Sequence, residues 1–171
     1  RRIVGNPERD KQYFHWQKRG DSCAIVTQEG VLQKHTGIDF GEETLAKEAR
    51  EHGWYDGGTA PDDVGKLLEL HGAPVQRWEN GADLKTLKDQ VSQGHDVIVS
   101  VSARDLWNDP SIPQRAGHAL WVTGVETDAN GNVTGIRTND SGRSDGAGIR
   151  YDVETFQRAW SRFNNHMVAT V

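Results

Sequence analysis

Near residue 95 the hydrophobic period of this chain changes from one that suits helices to one that suits strands, and few folds accommodate that switch. Before it, Val26, Val31 and Leu32 follow Cys23 at helical spacing and stop at Gly37, with Asp21-Ser22 offering oxygens to cap the start. The run Glu42–Arg50 places acids first and a base last, and ends at Gly53. Pro61-Asp62-Asp63 opens a third predicted helix through Val64, Leu67, Leu68 and Leu70 to Gly72. Leu84, Leu87 and Val91 mark a fourth over residues 82–93. After the switch, Val97–Val101 and His118–Val125 read as strands, Asp128–Asn132 as a hairpin turn, and 133–139 as the returning strand. A short helix over 153–160 and a strand over 166–169 close the chain. Helices first and antiparallel strands after predict an α+β fold, with N-terminal helices packed on a C-terminal antiparallel sheet. No repeat or linker divides the sequence, so one domain is expected over residues 1–171. The polar start, residues 1–11, is expected to be a flexible lead-in from a longer polypeptide, since there is no initial Met.

Charge and composition remove several classes of function. The net charge is −5, with 25 acidic and 20 basic residues, and the basic ones are scattered rather than gathered into a run that would track phosphates. Direct nucleic-acid binding is not expected. No apolar run approaches the ~18 residues of a membrane span. A single cysteine makes no internal disulfide, which leaves Cys23 as either buried filler or chemistry. The histidines lack zinc-ligand spacing and have no partner cysteines, and Asp128–Asn132 lacks the glycine position and distal Glu of a calcium loop. No metal and no cofactor are expected.

Cys23 falls at the predicted start of a helix, where free N–H groups and the helix dipole favour a thiolate. Gln17, six residues earlier, carries an amide that can donate to an oxyanion together with the Cys23 N–H. His118 opens a strand directly after Ala116-Gly117 and is the candidate base. His52 and His71, and likewise His35, lie at helix C-termini and read as structural, whereas His15 and His166 are less easily set aside. Asn139-Asp140 ends the neighbouring strand, and strand alternation lets only one of the two face His118 to fix its tautomer. Residues 104–117, with Trp107, Pro110 and Pro113, form a loop before His118 that could wall or cover a cleft.

Gln17…Asp21–Gln28, His118–Val125 and Thr138–Gly142, together with Glu51–Tyr55, Pro61–Glu69 and the tail from Phe156 to Val168, resemble the papain-like cysteine peptidases related to the bacteriocin-leader processing enzymes. The resemblance covers nearly all of residues 12–171. It implies a papain-like fold, with Cys23 as nucleophile, His118 as base, Asp140 as orienter (Asn139 the alternative) and Gln17 in the oxyanion hole. Trp107 and Trp121 are the expected substrate contacts. One departure stands out: Ala24 occupies a place where many of those enzymes have glycine.

The implied function is cysteine endopeptidase cleavage of a protein substrate at a Gly-Gly site. The resemblance extends to toxin domains that bacteria deliver into competitors. That would mean action in the recipient cytoplasm, with a type II topoisomerase subunit as target and a cognate immunity protein as partner. The alternatives are a cytoplasmic housekeeping or leader-processing peptidase, a transamidase or deamidase using the same pair, and an inactive peptide-binding module.

Overall fold

The computed structural model describes residues 2–171. In chain order the elements are β1 (Arg2–Gly5), α1 (Pro7–Asp10), α2 (Cys23–Thr36), α3 (Glu42–Glu51), α4 (Lys66–Leu70), β2 (Val75–Glu79) and α5 (Leu84–Ser92). They continue with β3 (Val97–Ser102), α6 (Ala103–Trp107), β4 (Gly117–Thr127), β5 (Val133–Asn139), β6 (Ile149–Asp152), α7 (Val153–Ser161) and β7 (Met167–Thr170). The strands form one antiparallel sheet in the order β2-β7-β3-β4-β5-β6, and β1 pairs with β4 off that path.

The long strand β4 organises the sheet. Its first half, Gly117–Val122, pairs with β3, and its second half pairs with β5 and with β1 through Gly124–Thr127. Alternation along the central strands sends side chains to two cores. Ile98, Ala119, Trp121 and Val168 pack beneath α2, α3 and α4. Val97, Val99, Val101, Leu120, Val122, Met167 and Ala169 pack on the other face against α5 and α7. The run Val97–Val101, apolar except for Ser100, is thus a strand buried on both sides. Of the four helices predicted before the switch, α2, α3 and α4 cover one face as expected, while the fourth, α5, joins α7 on the other.

Helix α2 lies directly on β4 because Gly30 permits it. A Cβ there would meet the Tyr13 carbonyl oxygen at 2.5 Å and the Trp121 ring at 3.3 Å. Its C-terminus is closed by Gly37 at φ 76°, a left-handed conformation that costs glycine least.

Three expectations are corrected. Residues 2–11 are built into the fold rather than forming a flexible lead-in, and residue 1 lies outside the described residues. Arg2–Gly5 pair with β4, Pro7–Asp10 form a helical turn capped by Asn6, and the Pro7 ring packs on Gly124. The helix predicted over 61–72 is broken, because Gly65 adopts φ 106° between a short 3-10 turn at Pro61–Asp63 and α4. Finally, Ser22 does not cap α2 by accepting an N–H; its hydroxyl donates to Glu42 Oε2 at 2.8 Å, with the Arg19 carbonyl 3.1 Å away.

Candidate active site

Cys23 is the first residue of α2 and lies half-buried against the start of β4. With no side-chain cap, the N–H groups of the first turn of α2 are left to the cleft that Cys23 lines. Glu42, itself buried at the start of α3, holds the preceding loop at two points. It accepts from the Lys18 N–H at 2.9 Å and from the Ser22 hydroxyl at 2.8 Å. Those contacts bracket the segment between Gln17 and Cys23.

His118, 5% exposed, sits at the mouth of β4 opposite Val101. Its Nε2 is 2.6 Å from Asp140 Oδ1, and Nδ1 is the nitrogen left for the Cys23 thiol, with which the ring shares a hydrogen bond. Asp140 is fully buried and accepts four donors. His118 Nε2 and the Gly142 N–H (3.0 Å) meet Oδ1, while Trp107 Nε1 (3.1 Å) and the Tyr151 hydroxyl (2.5 Å) meet Oδ2. The Trp107 ring also lies 4.7 Å from that of His118, tilted by 54°.

These contacts decide the ionisation of the site. Burial pushes the Cys23 thiol up, but the hydrogen bond and charge of His118, with the backbone of Ala119 and Ala24, outweigh it and hold the thiol below its ordinary value. Burial likewise opposes the His118 imidazolium, yet Asp140 and Cys23 raise its pKa to about 10. Burial also opposes charge on Asp140, and His118, Tyr151 and Trp107 overcome this and keep the carboxyl below the usual range. The arrangement favours a thiolate beside an imidazolium, the charge state for attack on a carbonyl carbon followed by protonation of a leaving group.

Asn139 faces away from this chemistry. Its Nδ2 donates to the Asp10 carbonyl at 2.8 Å and its Oδ1 accepts from the Gly148 N–H at 3.0 Å. Gln17 is anchored to the turn after Asp140. Its N–H donates to the Ser141 carbonyl, its Oε1 accepts from the Ser141 hydroxyl at 2.9 Å, and its Nε2 donates to the Arg19 carbonyl at 2.8 Å. One amide hydrogen of Gln17 remains for another acceptor.

A cleft of about 410 Å³ opens over Cys23 and His118. Gly20, Gly57, Gly58 and Gly117 line it, so an extended chain can approach its walls closely, and Asp21 and Arg115 place opposite charges on its rim. Two expected substrate contacts are corrected here. Trp121 is 1% exposed beneath α2, in the core rather than the cleft. Trp107 ends α6 and covers the His118–Asp140 pair instead of lining the cleft; of residues 104–117, Arg115, Ala116 and Gly117 reach the wall.

The competing histidines have other partners. His166 is buried against the Ser100 hydroxyl, and burial lowers its pKa. His35 pairs with Asp96, and His71 with Glu48. His15 contacts Gln33 Oε1 at 2.7 Å and joins Glu29 and Asp39, the one trio among the described residues whose ligand-type atoms lie within 4.8 Å of one another. None of the three lines the cleft. Asp128 spends its carboxylate inside its own hairpin turn, accepting from the N–H groups of Asn130 and Asn132.

Sequence reasoning missed Tyr151, Glu42 and the need for glycine at 142. A Cβ on Gly142 would meet the Trp107 ring at 2.8 Å and His118 Cε1 at 3.0 Å. The Asp140-Ser141-Gly142 turn was the available signal for the last of these; nothing local marks Tyr151 or Glu42.

The fold is that of the papain-like peptidases. It superposes on a protein of Bacillus anthracis described as a C39-like peptidase with a TM-score of 0.73 at 16% identity, covering 100% of this chain and 98% of that one. On the peptidase domain of Streptococcus ComA, described as a bifunctional ABC transporter of a quorum-sensing pathway, the score is 0.64 at 19% identity, covering 91% and 94%. On the proform of the ragweed pollen cysteine protease Amb a 11 it is 0.65 at 15% identity, covering 99% of this chain and 64% of that one. Uncharacterized proteins of Mycobacterium tuberculosis and Mycobacterium bovis are 27% identical over 200 residues, spanning 98% of this chain and 84% of theirs. The profile of the Peptidase C39 like family matches residues 9–168, a span that runs from α1 through Cys23, His118 and Asp140 into β7, and the chain belongs to that family.

Proposed function

We propose that the protein is a cysteine endopeptidase in which Cys23 is the nucleophile, His118 the acid–base residue and Asp140 its orienter. The observation that carries this reading is the continuous connection from the thiol through His118 to a buried, fourfold hydrogen-bonded Asp140, opening onto the glycine-lined cleft of about 410 Å³. The Cys23 thiolate adds to the scissile carbonyl carbon, and the carbonyl π electrons move onto oxygen. The Cys23 N–H and the uncommitted amide hydrogen of Gln17 receive that oxyanion. The His118 imidazolium then gives its Nδ1 proton to the departing amine as the C–N bond breaks, leaving a thioester. Water, deprotonated by His118, attacks the thioester and restores the thiolate.

The preference proposed is for two glycines before the cut. It rests on the family resemblance, and the glycine-lined walls support it, because a wall without Cβ atoms lets a chain that also lacks them approach face-on more closely. The proposed context is a bacterial effector acting in a recipient's cytoplasm, with a topoisomerase subunit as target and an immunity protein over the cleft. That context rests on the resemblance alone.

The test is expression in the cytoplasm of wild type and Cys23→Ala, with growth followed and new protein N-termini mapped. New termini after Gly-Gly only with the intact cysteine support the peptidase, and growth arrest with them supports the effector context. Identical terminus maps refute the peptidase reading, and termini with no growth defect refute the effector one.

A further inference from the structure

Asp140 stands out among the buried groups for the number and direction of its donors. A carboxylate 2.6 Å from an imidazole has an obvious drawback for an enzyme that must later release the proton it helps to hold. The tighter the ion pair, the less readily His118 protonates a leaving amine. The oxygen of Asp140 that does not face His118 is where this is moderated. Tyr151, 7% exposed on β6, donates its hydroxyl to Oδ2 at 2.5 Å. Trp107, from the end of α6, donates Nε1 to the same oxygen and to the Tyr151 oxygen, each at 3.1 Å. The three groups form a closed triangle in which Tyr151 accepts from Trp107 and donates to Asp140, so the phenol O–H is polarised toward the carboxylate.

We propose that Tyr151, seconded by Trp107, is a positioning residue of this site. It fixes the Asp140 carboxylate with Oδ1 toward His118 and draws part of its charge onto Oδ2, which keeps the His118 proton transferable. The inference rests on the peptidase reading for its purpose, though its physical core concerns only His118 and Asp140. The titratable and charged groups facing this pair are Cys23 from α2, Tyr151 from β6 and Arg143 in the turn after β5, the last held by Asp145 at 2.8 and 2.9 Å. The phenol proton itself stays in place, since burial and the Asp140 charge both raise the Tyr151 pKa.

A merely structural Tyr151, packed with Phe156 and Trp160 in the lower core, would change stability and nothing else. The discriminating measurement is therefore the NMR titration of the His118 ring, read in Cys23→Ala protein with and without Tyr151→Phe. Loss of the donor concentrates charge on Asp140, and the His118 midpoint should rise by about half a unit or more. In the active protein, Tyr151→Phe should lower kcat about threefold to tenfold with little change in KM, and move the alkaline limb of the rate profile upward. An unchanged midpoint overturns the proposal, and so does a fall, which would mean that Tyr151 only keeps Asp140 seated. If Tyr151→Phe does not fold, Trp107→Phe removes the other donor while leaving a ring over His118, and the same upward shift is required of it. Should wild-type protein cut nothing while Tyr151→Phe still raises the His118 midpoint, the peptidase reading fails and this inference stands.

Discussion

Replacing Asp140 by asparagine is the sharpest test of the site, because papain-like enzymes can orient their histidine with an amide and this structure says that here an amide will not do. Both oxygens of Asp140 are met only by donors: His118 Nε2 and the Gly142 N–H at Oδ1, Trp107 Nε1 and the Tyr151 hydroxyl at Oδ2. An asparagine must turn its NH2 toward one of those pairs. If it faces Trp107 and Tyr151, the indole N–H keeps the Tyr151 oxygen, but the phenol must turn to accept and its own buried O–H loses its acceptor, at a cost of about 1–3 kcal/mol. If it faces His118 instead, Nε2 must accept, and the proton moves to Nδ1, the nitrogen needed as base toward Cys23. Either orientation also removes the charge that holds the imidazolium, a hydrogen bond worth about 1.5–3 kcal/mol. Together these losses come to about 3–6 kcal/mol, or roughly a 10²–10⁴-fold fall in kcat/KM at 1.36 kcal/mol per decade. The assay is hydrolysis of a Gly-Gly peptide, run beside the rate of Cys23 alkylation by iodoacetamide, which reports the thiolate without any substrate. Circular dichroism confirms the fold. An Asp140→Asn protein within about threefold of wild type in both assays would refute the donor-only argument.

The chain has one cysteine, so alkylation reads the site cleanly. With the thiol held below its ordinary value and His118 raised to about 10, the ion pair should be lost on the alkaline side only at about pH 10. His118→Ala should move the alkylation midpoint upward, to or beyond the ordinary thiol value of 9.0, and a midpoint that stays put would show that His118 does not set the thiolate. Glu29, buried beside Asp39, is pushed up to about 8 by burial first and by Asp39 second. A raised carboxyl contributes its stability below its unfolded value of 4.5 and loses it as pH rises through about 8. The thermal midpoint of Glu29→Gln should therefore gain on wild type between pH 5 and pH 9, and a difference independent of pH would sink the assignment. Gly142→Ala drives a methyl into the Trp107 ring and His118. It should cut kcat/KM at least tenfold by displacing the His118–Asp140 pair, and unaltered kinetics would mean that the turn yields at no cost.

Much of the fold is legible in the sequence. Helices α2, α3, α5 and α7 and strands β3, β4, β5 and β7 lie close to where period and punctuation put them. The strands that escaped notice share a cause. β2 and β6 are the two edges of the sheet, and β1 is a four-residue strand paired only with the far half of β4. An edge strand buries little, so its apolar signal is weak: Arg77 and Glu79 in β2, and Arg150 and Asp152 in β6, break any run. The site divides the same way. Cys23, His118 and the Asn139-Asp140 turn sit in short local patterns. Tyr151 and Trp107 reach Asp140 from 11 and 33 residues away along the chain, and only the sheet order brings them together.

Trp121 is different, because the sequence already held the correction. His118 and Trp121 are three residues apart in one strand, and side chains an odd number of residues apart point to opposite faces. Parity puts Trp121 on the face of Ala119, and since Ala119 itself lines the cleft, the count alone does not keep Trp121 out of it. What does is depth along the strand: two residues beyond Ala119, Trp121 lies beneath α2, against Gly30 and Tyr13. Gly30 was the hint, a glycine in mid-helix where a bulky neighbour needs room. An aromatic next to a catalytic-looking histidine is thus weak evidence for substrate contact where a helix can pack over it. The same count could not choose between Asn139 and Asp140, since it says only that one of them faces His118. What decides there is the turn: Asp140 accepts the N–H of Gly142 two residues on, and that contact aims the carboxylate back at His118 while Asn139 ties α1 to the loop before β6.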